Sequence, residues 1–129
     1  MPKKIKKKKS FRLSGPAEIK MSEVITEFAE PLLKVAYSEQ SYEIAIMMAI
    51  ACWNLTLLPE EKHEELLARI VTETTKTYEH RKDTESVARV LVERKKLLFP
   101  HIKKFVVNHD IQFLDGKMIL NVASTYLNK

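Results

Sequence analysis

Ten consecutive residues, Ile44-Ala-Ile-Met-Met-Ala-Ile-Ala-Cys-Trp53, carry no charged or amide side chain in a chain where 30% of the residues are charged. A helix that is apolar on every side has no face to turn to water, so the run predicts an interior helix over 41–56, with the rest of the chain packed round it. Ala45, Ala49 and Ala51 let neighbouring helices approach closely, while Ile44, Ile46, Met47, Met48 and Ile50 fill the space between them. A membrane span is the competing reading, but it needs roughly 20 apolar residues. Glu43 and Asn54 bracket this run well short of that, and Pro59 follows.

A chain of 129 residues is expected to form one domain that needs no metal or disulfide to stand. Its single cysteine, Cys52, lies inside the apolar run, which excludes an internal disulfide framework and a cysteine-based zinc cluster. Two glycines leave no Gly-rich phosphate loop. The basic start runs into Ser10-Phe-Arg-Leu-Ser-Gly-Pro16 and not into an apolar segment, so no secretory signal is read and a cytoplasmic protein is expected.

The net charge of +5 is unevenly spread. Residues 1–20 hold Lys3, Lys4, Lys6, Lys7, Lys8, Lys9, Arg12 and Lys20 against Glu18 alone, a balance of +7, which leaves −2 for the other 109 residues. Residues 1–15 are expected to form a disordered basic arm, ahead of a single compact domain over 16–129. Such an arm suits the phosphates of nucleic acid or of acidic lipid, or serves as a solubilising tail.

Within the domain, Val24, Ile25, Phe28, Leu32, Leu33, Ala36 and Tyr37 recur at helical spacing, with Ser22 as the expected cap and a kink or fresh start at Pro31. Ser41 is the expected cap of the central helix. Pro59 and the acids after it predict a third helix start, with Leu66, Leu67, Ile70, Val71 and Thr74 inward. The threonines at 72, 74, 75 and 77 should end that helix between Thr75 and His80. Asp83 should cap a fourth helix ended by Phe99-Pro100.

After Pro100 the apolar period changes to alternation, and Asp115-Gly116 stands between two apolar runs. That predicts a β-hairpin over about 105–124, pairing Leu114 with Lys117, Phe113 with Met118, Ile111 with Leu120 and His109 with Val122. Val107, Ile111, Phe113, Met118, Leu120 and Val122 would then share the inner face. The expected fold is thus α+β and mainly helical, with about four helices and a C-terminal hairpin.

Candidate chemistry is sparse. His63, His80, His101 and His109 show no metal-ligand spacing, and no nucleophile motif occurs. His63 reads as an ordinary surface histidine. His109 falls on the inner hairpin face, where it needs a polar partner or marks an enzyme site, with Glu43 the other candidate. No cofactor is expected. Glu60, Glu61, Glu64 and Glu65 make an acidic patch, and Arg89, Arg94, Lys95, Lys96, Lys103 and Lys104 a basic one. These are either solvated faces that touch each other or a second contact for an acidic partner. The leading expectation is a non-enzymatic interaction or regulatory module, homo-oligomeric, because a hairpin edge without proline invites pairing. Its rival is sequence-blind nucleic-acid binding through the arm.

Trp53-Asn54, Leu57-Leu-Pro-Glu-Glu61 and Asn121-Val-Ala-Ser124 give the chain, over about residues 44–124, a likeness to other proteins. It resembles uncharacterised helical bacterial proteins that in some cases carry a SEC-C zinc motif at one end. This chain has no Cys/His cluster, so nothing about zinc carries over. That family has no assigned activity, and the resemblance implies a fold and not a function.

Overall fold

The computed structural model describes residues 20–75 and 78–126. The basic arm expected over 1–15, with its Lys3–Lys9 run and Arg12, lies outside them. Among the described residues five α-helices precede a hairpin: α1 Met21–Phe28, α2 Glu30–Leu33, α3 Glu39–Thr56, α4 His63–Thr74 and α5 Tyr78–Leu98, then β1 Lys104–Leu114 and β2 Lys117–Tyr126. The first expected helix is two helices, because Pro31 has no N–H to donate and the chain turns at Ala29 before α2 starts afresh. Lys20, in extended conformation, stands at the cap position of α1 in place of Ser22, and gives no side-chain cap. Ser38 and not Ser41 caps the central helix. The two form a reciprocal capping box, with Ser41 N–H donating to Ser38 Oγ at 3.1 Å and Ser38 N–H to Ser41 Oγ at 2.8 Å.

Pro59 leads into a 3₁₀ turn, Glu60–Lys62, and the α-helix proper starts at His63. His63 is not a free surface residue, since its Nε2 is 2.8 Å from the Leu58 carbonyl and pins this turn. The helix ends at Thr74, where the Thr74 and Thr75 hydroxyls donate to the Ile70 and Val71 carbonyls. The last helix begins at Tyr78, earlier than the Asp83 cap expected, and stops one residue before Phe99-Pro100.

The central helix buries Ala45, Ile46, Met48, Ala49, Ile50, Cys52, Trp53 and Leu55, but Ile44 and Met47 are 46% and 53% exposed. It is therefore not interior all round. Residues 44, 47 and 51 fall on one stripe, which the described residues cover only in part, since Ala51 is half-buried while Ile44 and Met47 are exposed. The core centre is an aromatic trio, with the Trp53 ring centroid 5.2 Å from Phe28 and 5.7 Å from Phe99. Phe28 and Phe99 stand edge to face at 6.0 Å.

The hairpin pairs as expected, Leu114 with Lys117, Phe113 with Met118, Ile111 with Leu120 and His109 with Val122. Asp115 and Gly116 both take positive φ, 52° and 76°, as a two-residue turn that matches strand twist requires. The inner face differs at one residue. A bulge between Val106 and Asn108 turns Val107 outward at 62% exposure, and Val106 takes its place in the core. The sheet lies on the helices through contacts of β1 with α3 and of β2 with α1.

Trp53 has no exposed surface, and its indole N–H donates to the Lys104 carbonyl at 2.7 Å. Trp53→Ala is expected to lose roughly 3–5 kcal/mol of stability in urea unfolding. The intact protein should show the blue-shifted emission of a buried indole, and an emission maximum typical of solvated tryptophan would contradict this packing.

Candidate interaction surface

The six basic residues expected to act together do not form one patch. Arg89 makes a bidentate pair with Glu64, at 3.0 and 2.9 Å, and also bonds Glu85. The acidic and basic faces thus meet here, and the guanidinium holds the Glu64 carboxyl below the usual carboxylate range, by hydrogen bonding first and by charge second. Arg94 instead reaches the end of α1 and donates to the Phe28 and Glu27 carbonyls at 3.0 and 2.9 Å, satisfying groups that the helix itself leaves unpaired. Lys96 lies 4.0 Å from Glu93, and the Lys104 ammonium stands 4.8 Å over the Tyr126 ring. Lys103 is exposed.

Lys95 is the unexpected one, only 3% exposed. Its ammonium sits 4.7 Å above the Trp53 ring and donates to the Phe99 carbonyl at 2.7 Å, closing the end of α5. Desolvation lowers its pKa, and the positive charge of Lys103 lowers it further. The i, i+4 spacing of Lys95 from Leu91 and Phe99 placed it on the buried stripe, so the signal was present in the sequence, though masked by the run of lysines.

Groups able to do chemistry do not converge. Cys52 is fully buried and burial pushes its thiol up to about 12, so it is not a nucleophile at neutral pH. His109 is half-buried on the inner hairpin face, and Glu43 is exposed. A cleft of about 270 Å³ lies between α2, α3 and α5, lined by Leu32, Val35, Ile44, Met48 and Val87 with Asp83 at its wall, and neither His109 nor Glu43 reaches it. Among the described residues no three His, Cys, Asp or Glu side chains come together as a metal site would need. No helix among them is long and apolar enough to cross a membrane.

What the fold does present is an asymmetric pair of strand edges. A two-residue turn makes Leu114–Lys117 a hydrogen-bonded pair, so the pairs at Phe113–Met118, Ile111–Leu120 and His109–Val122 aim their N–H and C=O groups away from the partner strand. On β1 much of that outer edge is closed. Asn54 grips Val106 both ways, Nδ2 donating to its carbonyl and Oδ1 accepting its N–H, each at 2.9 Å. Trp53 takes the Lys104 carbonyl, and Asn108 Oδ1 accepts the His109 N–H at 2.9 Å. On β2 the outward groups of Met118, Leu120, Val122 and Ser124 have no hydrogen-bond partner among the described residues. β2 carries one charge, Lys117 at its first position, and neither proline nor bulge. Charges, prolines and bulges are usual devices for blunting an edge, and past Lys117 β2 has none of the three.

No protein-family model, curated protein or solved structure matches the chain.

Lys95 gives a pH signature. Its folded-state pKa lies below the ordinary lysine value of 10.5, so between those two values the unfolded chain binds more protons at this site. Stability contributed by this group therefore rises with pH towards 10.5. Urea unfolding of the native chain and of Lys95→Met, compared from neutral to alkaline pH, should show that rise in the native chain alone. Parallel pH profiles would mean that Lys95 is an ordinary solvated lysine.

Proposed function

We propose that the chain is a non-enzymatic interaction module that presents the edge of β2 to an extended strand of a partner. The single observation that carries this is the row of unpaired outward backbone groups on Met118, Leu120, Val122 and Ser124, on a strand whose neighbour edge is largely sealed. Strand addition gives affinity through main-chain hydrogen bonds and specificity through alternate side chains. An enzyme built around His109 or Glu43 would need polar groups converging on one of them, and neither stands at the cleft. A cytoplasmic setting belongs to the same proposal, supported by a single, buried, unpaired cysteine.

The probe is a blocked ten-residue peptide that copies β2, Lys117 to Tyr126. On its addition, the amides of Met118, Leu120, Val122 and Ser124 are expected to slow in hydrogen exchange, while the sealed amide of Val106 stays unchanged. Unaltered exchange along β2 at saturating peptide would refute a working edge.

The second reading is sequence-blind nucleic-acid association through Lys3, Lys4, Lys6, Lys7, Lys8, Lys9 and Arg12, favoured by the +7 balance of residues 1–20. Arg89, Arg94 and Lys95 are committed to internal partners, so the second basic stretch offers fewer cations to phosphate than its sequence suggests. If six to eight such contacts form, affinity for duplex DNA should fall roughly 10³-fold between about 50 and 200 mM salt. Deleting residues 2–12 should cause a similar loss. Binding that survives the deletion would exclude the arm as the site.

A further inference from the structure

We propose that the strand taken up by β2 is β2 of a second copy of this chain, antiparallel, with the two-fold axis passing through Val122, so that two hairpins join into one four-stranded sheet. This rests on the edge reading above and names its partner.

The register follows from which groups point outward. Antiparallel edges bond only through residues whose N–H and C=O face out, which on β2 are Met118, Leu120, Val122, Ser124 and Tyr126. Centring the pair on Val122 uses all of them. Leu120 then meets the partner's Ser124, Met118 meets the partner's Tyr126, and Val122 meets its own symmetry mate. Shifting the axis to Asn121 leaves Tyr126 without a strand residue opposite. On the other face Asn121 would lie opposite the partner's Ala123, and Ile119 opposite the partner's Thr125.

Three observations favour a copy of this chain over a foreign strand. The only charge on β2, Lys117, falls beyond the paired stretch in this register, so no like charges meet across the axis. Ile119 and Tyr126, 38% and 61% exposed in the single chain, each gain a cross-strand neighbour. A two-stranded sheet is marginal by itself, and this one is only half covered at Ile111, Phe113, Met118 and Val122. The seals on β1 then fix where growth stops. With Asn54 and Trp53 holding the outer side of Lys104 and Val106, and a bulge at Val107, a further strand cannot run along β1 as it can along β2. An isologous pair is closed, whereas two open edges would build a filament.

The test uses the full chain and exposed positions that leave the hairpin ladder intact. Sedimentation across a micromolar concentration series is expected to show a monomer–dimer equilibrium that stops at the dimer. Asn121→Lys with Ala123→Lys sets like charges opposite each other twice across the axis and should weaken dimerisation about tenfold. Asn121→Lys with Ala123→Glu sets opposite charges there and should restore it. Far-ultraviolet circular dichroism and Trp53 emission confirm that each variant is folded. A strict monomer would overturn the second copy as partner, yet leaves the edge reading standing if the β2 peptide still protects Met118 to Ser124. A dimer indifferent to both charge variants would overturn β2 as the interface, and weakening by both alike would overturn the register. Assembly beyond the dimer would overturn the closed pair.

Discussion

The hold of Trp53 and Asn54 on the backbone of β1 is the contact on which the rest depends. Two adjacent residues near the end of α3 bind Lys104 and Val106, about fifty positions further along the chain. A hairpin alone has too little buried surface to persist in water. Here its first strand is instead fastened by directional bonds to the best-packed helix. The indole makes its bond from inside the aromatic trio, so the same side chain supplies apolar contact and a satisfied donor. Asn54, one residue on, is rotated towards the strand and offers an amide that pairs as a neighbouring strand would. Attachment of the sheet and closure of its β1 edge are thus a single event.

Charge is deployed with similar economy in the described part of the molecule. On α5 the cations face in three directions. Arg89 faces α4, Arg94 completes the end of α1, and Lys95 completes the end of its own helix from over the tryptophan ring. The exposed Arg89 pair contributes little by itself, being screened by solvent. Arg94 and Lys95 matter more, because they satisfy carbonyls at helix ends that would otherwise be unpaired. A stretch that looks in sequence like a continuous basic face is in large part internal joinery.

How much of this was legible in the sequence depends on whether the signal was local. Asp115-Gly116 fixes turn and register together, because few other residues adopt two successive positive φ angles and alternation then leaves one pairing. Trp53 at the end of an apolar run was legible as core for the same kind of reason. What failed was non-local. Ile44 and Met47 are as apolar as their neighbours, and only the incomplete cover of their stripe by the described residues leaves them exposed. The bulge that trades Val107 for Val106 has no sequence mark, since both residues are valine and the Asn54 bonds that hold Val106 come from about fifty positions away. Lys95 was lost within a basic run although its spacing put it inward. Ser38 and Ser41 were both caps in a sense, and only the geometry shows which one starts the helix.

The two proposed activities, strand pairing and phosphate contact, bear on each other through the position of α1. This helix packs against β2, and the arm enters the fold at Lys20, immediately before it. Pairing through β2 would therefore bring two such entry points to the same side of one sheet. Two segments of +7 each would repel, and that repulsion would oppose such a dimer at low salt. A polyanion held by the basic segments would reverse the sign, because the second would bind at the high effective concentration set by the first. Pairing and phosphate binding would then be thermodynamically linked, each strengthening the other by the same factor. Such a linkage would need no conformational change, only two basic segments rooted beside a shared edge.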